Sequence, residues 1–124
     1  MKELIRKINT FVAKRNWHQF HNPKNLSMAL ASESGELLDI FQWLNCEDSK
    51  LENINQETLN LAKEEIGDIF IYLLRLSEEL KLDLIDCANK KIEKNEIKYP
   101  VNLAKDNSIK YSRRNENTQS QKRN

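Results

Sequence analysis

The 124-residue chain carries 20 Lys or Arg against 19 Asp or Glu, with two cysteines and 39% hydrophobic residues. A chain of that length buries one core and leaves no room for a second. Cys46 and Cys87 are too few for a disulfide scaffold, and no stretch approaches the ~20 apolar residues of a membrane span, so a soluble protein of the reducing cytoplasm is expected.

The net charge of +1 hides an asymmetry. Residues 1–103 hold 14 basic and 17 acidic side chains, whereas residues 104–124 hold 6 and 2. A domain at 1–103 followed by a polar, basic, disordered tail at 104–124 is therefore expected, because the tail offers little apolar surface to repay the entropy of ordering. The mildly acidic domain argues against a stable nucleic-acid complex. Glu3, Arg6 and Lys7 alternate with Leu4, Ile5 and Ile8 at the start of the chain, a pattern unlike a leader peptide.

Helical periodicity dominates throughout. Leu4, Ile5, Ile8, Phe11 and Val12 form one stripe of a first helix over about 2–16. Residues 17–24 gather Trp17, His18, Phe20, His21 and Pro23 into what reads as an ordered loop. Asn25 or Ser27 can cap a second helix to about Leu44, with Leu26, Leu30, Leu37, Ile40, Phe41 and Leu44 as its packed stripe. Gly35 inside that helix costs about 1 kcal/mol relative to Ala, so a close approach to its backbone is expected. A polar connection over 45–56 leads to the longest helix, about 57–80, packed through Ile66, Ile69, Phe70, Leu73, Leu74, Ser77 and Leu80. Asp83 then caps a fourth helix, which Tyr99-Pro100 ends. Four amphipathic helices without strands imply an all-α, four-helix bundle. Apolar flanks beyond one face imply assembly with further copies.

Chemistry concentrates in two acidic segments, Glu33-x-x-Glu36 and Glu65-x-x-Asp68. Residues three apart on a helix share a face, and both pairs fall in line with packed positions. Four carboxylates turned toward one helix interface repel, and burying them unpaired is costly. A divalent cation removes that objection. Hard oxygen donors suit Mg²⁺, or Mn²⁺, and Mg²⁺ commonly shares its coordination with substrate phosphates. The competing reading is ordinary surface charge. Glu64 turns aside from the line, and Asp39 is read as solvated or supporting.

Lys91, Asn95 and Lys98 form a polar line on the fourth helix, followed by Tyr99. Amines there can neutralise a polyphosphate; the alternative is a solvated basic face. Trp17, His21 and Trp43 offer flat rings on which a nucleobase can stack, although tryptophan in a small domain is more often core.

The ordered set Arg15-Asn16-Trp17-x-x-Phe20-His21-x-Pro23-Lys24-Asn25-Leu26, then Glu33-x-Gly35-Glu36-Leu37, Phe41-Gln42-Trp43, Glu64-Glu65-Ile66-Gly67-Asp68-Ile69-x-x-Tyr72-Leu73 and Lys91-x-x-x-Asn95-x-x-Lys98-Tyr99-Pro100, resembles the MazG-type nucleotide pyrophosphohydrolases. The small dCTP pyrophosphatase branch is the most similar. The resemblance spans about residues 4–103 and implies an all-α fold, a homo-dimer or homo-tetramer, and Mg²⁺-dependent hydrolysis of nucleoside triphosphates to the monophosphate and pyrophosphate. It implies Glu33, Glu36, Glu65 and Asp68 as metal ligands. Trp17, His21, Trp43, Tyr72, Lys91, Asn95, Lys98 and Tyr99 would bind substrate. Two positions depart from the pattern: Asn16, where Asp is frequent, and Gly67, where Ser or Ala is usual.

Hydrolysis at the α–β linkage then needs a water oriented or deprotonated by Glu33 or Glu36, and a cation such as Lys91 at the departing pyrophosphate. No Ser-His-acid set supports a covalent route. The rival readings are a helical interaction module with an acidic docking patch and, less compatible with the charge of the domain, an RNA-binding bundle. Stacking alone names no base, so dCTP and modified pyrimidine nucleotides both stay open.

Overall fold

The computed structural model describes residues 1–114. These are all-α, in the order α1 (Lys2–Lys14), a 3₁₀ turn (Trp17–Phe20), α2 (Pro23–Phe41), α3 (Gln56–Glu79), α4 (Leu84–Lys98) and α5 (Val101–Ala104). The chain divides into two compact units, Met1–Leu82 and the part from Asp83 onward.

In the first unit α2 lies along α3, and α1 packs on α3 and on the 3₁₀ turn. The core is small. Ile8 and Val12 come from one stripe of α1, Leu26 from α2, and Ala62 and Leu74 from α3. Leu26 is only 1% exposed, and burying a leucine fully is worth about 1.5–3 kcal/mol. Other positions of the expected stripes stay open. Leu44, Ile66, Phe70 and Leu80 are exposed, as are Met28, Leu38 and Leu61.

The helix boundaries follow from caps. Asn22, not Asn25 or Ser27, starts α2: its Oδ1 accepts from the Asn25 amide at 2.9 Å, and Pro23 supplies a pre-set φ at the first helical position. Asn25 instead donates through Nδ2 to the Phe20 carbonyl at 3.0 Å, tying the aromatic turn to the helix. That turn is entered through Asn16 at φ 53°, a left-handed conformation that Asn and Asp tolerate better than most residues. The Asn16 departure therefore preserves the backbone requirement.

Asn55 caps α3 by accepting from the Thr58 amide at 2.8 Å. At the other end Lys81 takes φ 53°, while the Leu82 amide bonds Ser77 O at 2.9 Å and the Lys81 amide bonds Glu78 O at 3.2 Å. This is a Schellman closure with lysine where glycine is favoured. No sequence signal announced it.

In the second unit Asp83 caps α4 as expected, its Oδ1 accepting from the Asp86 amide at 3.0 Å. The helix stops at Lys98, before Tyr99-Pro100. Beyond Pro100 the chain turns into the short α5 and a helical turn over 111–114. Of the tail expected to be disordered, residues 115–124 lie outside those described. No helix among the described residues is long and apolar enough to cross a membrane. Cys46 and Cys87 are free and exposed.

Candidate functional site

The packing of α2 along α3 sets Glu65 against the Glu33–Glu36 turn. One ligand oxygen from each of these three residues lies within 4.8 Å of the others. Glu33 Oε2 and Glu65 Oε2 are buried, and no donor among the described residues reaches either. Glu36 is exposed, so the cluster has a closed side and an open side.

The electrostatics report the same crowding. The Glu33–Glu36 carboxylate pair, which can share a proton, is the largest cause raising Glu33 from the ordinary 4.5 to about 7; burial and the neighbouring charges add to it. Burial leads in raising Glu65, with Glu36 and Asp68 contributing. Asp68 is exposed and is not one of the close trio. Its charge still acts on Glu33, Glu65 and Tyr72. The expected inward register therefore holds for Glu33 and Glu65, which are half-buried, while Glu36 and Asp68 face the open side.

The donor set fits a hard divalent cation. It is all oxygen, it contains two buried oxygens without donors, and three protein ligands leave coordination positions for water and substrate. Histidine and cysteine are absent from the cluster, which weighs against zinc.

Asp68 also opens onto a cavity of about 380 Å³, whose wall includes Phe11, Trp17, His21, Tyr72 and Arg75. The aromatic wall is a chain of edge and tilted contacts. Phe11 meets Trp17 at 5.7 Å between ring centroids, Trp17 meets His21 at 6.3 Å, and His21 meets Tyr72 at 6.5 Å. Burial pushes the Tyr72 hydroxyl up, with the Glu33 and Asp68 charges acting in the same direction. Tyr72 thus stands electrostatically between the carboxylates and the rings.

Trp17 and His21, expected to share a pocket with Trp43, line this cavity together with Tyr72. Trp43 is 86% exposed and does not line it. Lys91, Asn95, Lys98 and Tyr99 belong to the second unit. There Lys91 and Lys98 are exposed and Asn95 is half-buried, and the Arg114 guanidinium stands 5.5 Å from the Tyr99 ring centroid. Glu64 is exposed, and Asp39 accepts from Gln42 Nε2 at 3.0 Å.

Gly35 does not meet the close approach its helix position suggested. A Cβ built there, or at Gly67, would find nothing within 4 Å among the described residues.

Sequence reasoning passed over Arg75. It is 3% exposed and donates three ways: through Nε to His21 Nδ1 at 3.3 Å, through Nη1 to Asn9 Oδ1 at 3.0 Å, and through Nη2 to Glu79 Oε1 at 2.7 Å. A signal was present, since Arg75 is the one charge in the apolar run from Ile69 to Leu76, and a buried cation requires partners.

Comparison with known proteins converges on one group. The chain is 37% identical over 111 residues to dCTP pyrophosphatase 1 of Bos taurus, covering 89% of this chain and 66% of that protein. It is 36% identical over 111 residues to the Homo sapiens protein of the same name, covering 89% and 65% respectively. It thus spans slightly less than two thirds of the length of these curated relatives. A crystal structure of a pyrophosphatase from Archaeoglobus fulgidus superposes with a TM-score of 0.73 at 39% identity, over 81% of this chain and 92% of the other. The MazG-like family profile matches residues 28–113, a span that takes in both acidic segments and the Lys91-to-Pro100 motif, and the chain belongs to the MazG-like family.

Proposed function

We propose that this protein hydrolyses nucleoside triphosphates, or their deoxy forms, to the monophosphate and pyrophosphate with Mg²⁺, Mn²⁺ being an alternative. The observation that carries the reading is the Glu33–Glu36–Glu65 cluster, with its two buried, donorless oxygens, joined through Asp68 and Tyr72 to an aromatic cavity. A surface patch for a basic partner needs neither buried oxygens nor the adjoining cavity.

Glu33, Glu36 and Glu65 would hold the cation, with Asp68 as the fourth ligand on its open side. Bound there, Mg²⁺ supplies Lewis-acid neutralisation of phosphate charge and lowers the pKa of water. Glu33 or Glu36 orients the attacking water and takes its proton. Trp17, His21 and Tyr72 receive the base and sugar, and their packed rings exclude water from that side of the cleft. Lys91, Asn95, Lys98 and Tyr99 are assigned to the phosphates and sugar on motif alone, with Lys91 neutralising the departing pyrophosphate. Trp43 is assigned to the base on the same ground, and its exposure fits a role completed by a second copy of the chain.

The exposed apolar residues Met28 and Leu38 on α2 and Leu61 and Ile66 on α3 support a homo-dimer or homo-tetramer. The dCTP pyrophosphatases among the relatives make dCTP the first substrate to examine.

Turnover in ¹⁸O-labelled water tests the reaction. Attack at the α-phosphorus puts the label in the monophosphate and leaves the pyrophosphate unlabelled. Label in pyrophosphate would instead mark attack at the β-phosphorus of the same linkage, and release of orthophosphate in place of pyrophosphate would overturn the proposed α–β cleavage.

A further inference from the structure

His21 and Arg75 form a device that the carboxylate chemistry does not use. Arg75 Nε donates to His21 Nδ1 at 3.3 Å, and a ring nitrogen that accepts carries no proton. The neutral imidazole bonded this way must be protonated at Nε2, on the edge of the ring away from Arg75. Arg75 cannot easily turn aside. Asn9 Oδ1 on α1 holds Nη1 at 3.0 Å, and Glu79 Oε1, one turn along α3, holds Nη2 at 2.7 Å. The guanidinium is 3% exposed, and its planar fork serves three acceptors in a geometry that an ammonium cannot reproduce.

The ring meets those of Trp17 and Tyr72 at 6.3 and 6.5 Å between centroids and lines the cavity of about 380 Å³. We propose that Arg75 is a positioning residue that locks His21 as the Nε2-protonated tautomer. The cavity wall then presents one N–H donor and selects nucleobases that offer it a ring-nitrogen or carbonyl acceptor. The selection rests on the reading of this cavity as the base pocket. A site built to donate rejects a base that turns a donor or a C–H toward it, because the N–H is then left unpaired against the bound base.

The surroundings of His21 favour its neutral form. Burial lowers its pKa most, followed by Arg75 and His18, with Glu79 opposing. Asp68 and Lys7 line the same cavity. Arg75 therefore supplies both the tautomer and part of the resistance to protonation.

Long-range ¹H–¹⁵N imidazole correlation on the intact, metal-free protein tests the positioning directly, with His18→Gln assigning the two rings. The expected wild-type result is a neutral His21 protonated at Nε2 and unprotonated at Nδ1, with a pKa below that of an ordinary imidazole. Arg75→Met should give mixed tautomers and a higher His21 pKa. Arg75→Lys should keep much of the pKa while still mixing tautomers. A wild-type ring protonated at Nδ1, or an unchanged tautomer in folded Arg75→Met, overturns the proposal, and the wild-type spectrum needs no substituted protein to fold. Turnover then tests the selection. His21→Phe should lower kcat/KM for the preferred triphosphate about tenfold, near the value of one hydrogen bond, and flatten the preferences among dCTP, dUTP, dATP and dGTP. Unaltered preferences overturn it. Failure of every triphosphate in the wild type overturns the functional reading instead, whereas a wrong tautomer overturns the positioning with turnover intact.

Discussion

Replacing Glu33 by Gln should stabilise the metal-free protein and abolish most of its response to Mg²⁺. Glu33 brings an oxygen within 4.8 Å of oxygens from Glu36 and Glu65, and its own buried Oε2 has no donor. Two unit charges about 5 Å apart repel by about 3 kcal/mol at an effective dielectric of 20 and by under about 1 kcal/mol in water. The open side of the cluster screens the interaction, so a relief of about 1–2 kcal/mol is the working figure above about pH 7, where Glu33 is ionised. For a domain of this size that raises Tm by roughly 3–10 °C. The wild type should gain about 2.7 kcal/mol at a hundredfold excess of Mg²⁺ over Kd, and the variant far less.

The sign with pH follows from the raised value. The folded protein holds the Glu33 proton up to about pH 7, whereas the unfolded chain releases it near 4.5. Between those limits the native state binds more protons, so stability of the metal-free wild type falls as pH rises. Below 4.5 this contribution is fully present, and above about 7 it is lost. Scanning calorimetry in EDTA and in Mg²⁺, from pH 5 to 8, reads all three effects. A lower metal-free Tm for Glu33→Gln at pH 8, or an undiminished Mg²⁺ shift, would refute the crowding argument.

Three further outcomes are expected. Leu26→Ala should cost about 3 kcal/mol in chemical denaturation, since Leu26 is the most deeply buried large side chain of a thin core; a cost under about 1 kcal/mol would show that the α2–α3 packing is looser than described. Lys81→Gly should stabilise by about 1 kcal/mol by relieving the left-handed backbone at the end of α3, and destabilisation would contradict the Schellman closure. Trp17→Ala should raise KM about tenfold, as the loss of a ring against which a base stacks, and an unchanged KM would remove Trp17 from the pocket.

Much of this was legible in the sequence because helical periodicity and local capping are short-range signals. Ile8 and Val12 on one stripe, Asp83 as a cap and the stop at Tyr99-Pro100 all follow from neighbouring residues. The start of α2 was misjudged because Pro23 reads as a loop marker until Asn22 is seen to accept from Asn25. The stripe on α3 was only partly right. Periodicity shows which face is apolar, but not whether this chain or another molecule covers it, and Ile66 and Leu80 stay exposed. The site divides in the same way. Helical spacing was enough to pair Glu33 with Glu36. The Arg75–His21 bond joins residues 54 positions apart, and no local rule links them. The Lys81 turn was hidden for a different reason: residues of any type can be held at positive φ when the bonds around them suffice.

Metal-dependent hydrolysis at the carboxylate cluster is tested by pyrophosphate release from a panel of nucleoside triphosphates, dCTP included, with Mg²⁺ or EDTA, by the wild type, Glu36→Gln and Asp68→Asn. The wild type should release pyrophosphate with Mg²⁺ alone, and each variant should lose at least about a hundredfold in kcat/KM, equivalent to about 2.7 kcal/mol of transition-state stabilisation. Full turnover in EDTA, or undiminished Mg²⁺-dependent turnover in both variants, would contradict metal-dependent hydrolysis at this cluster.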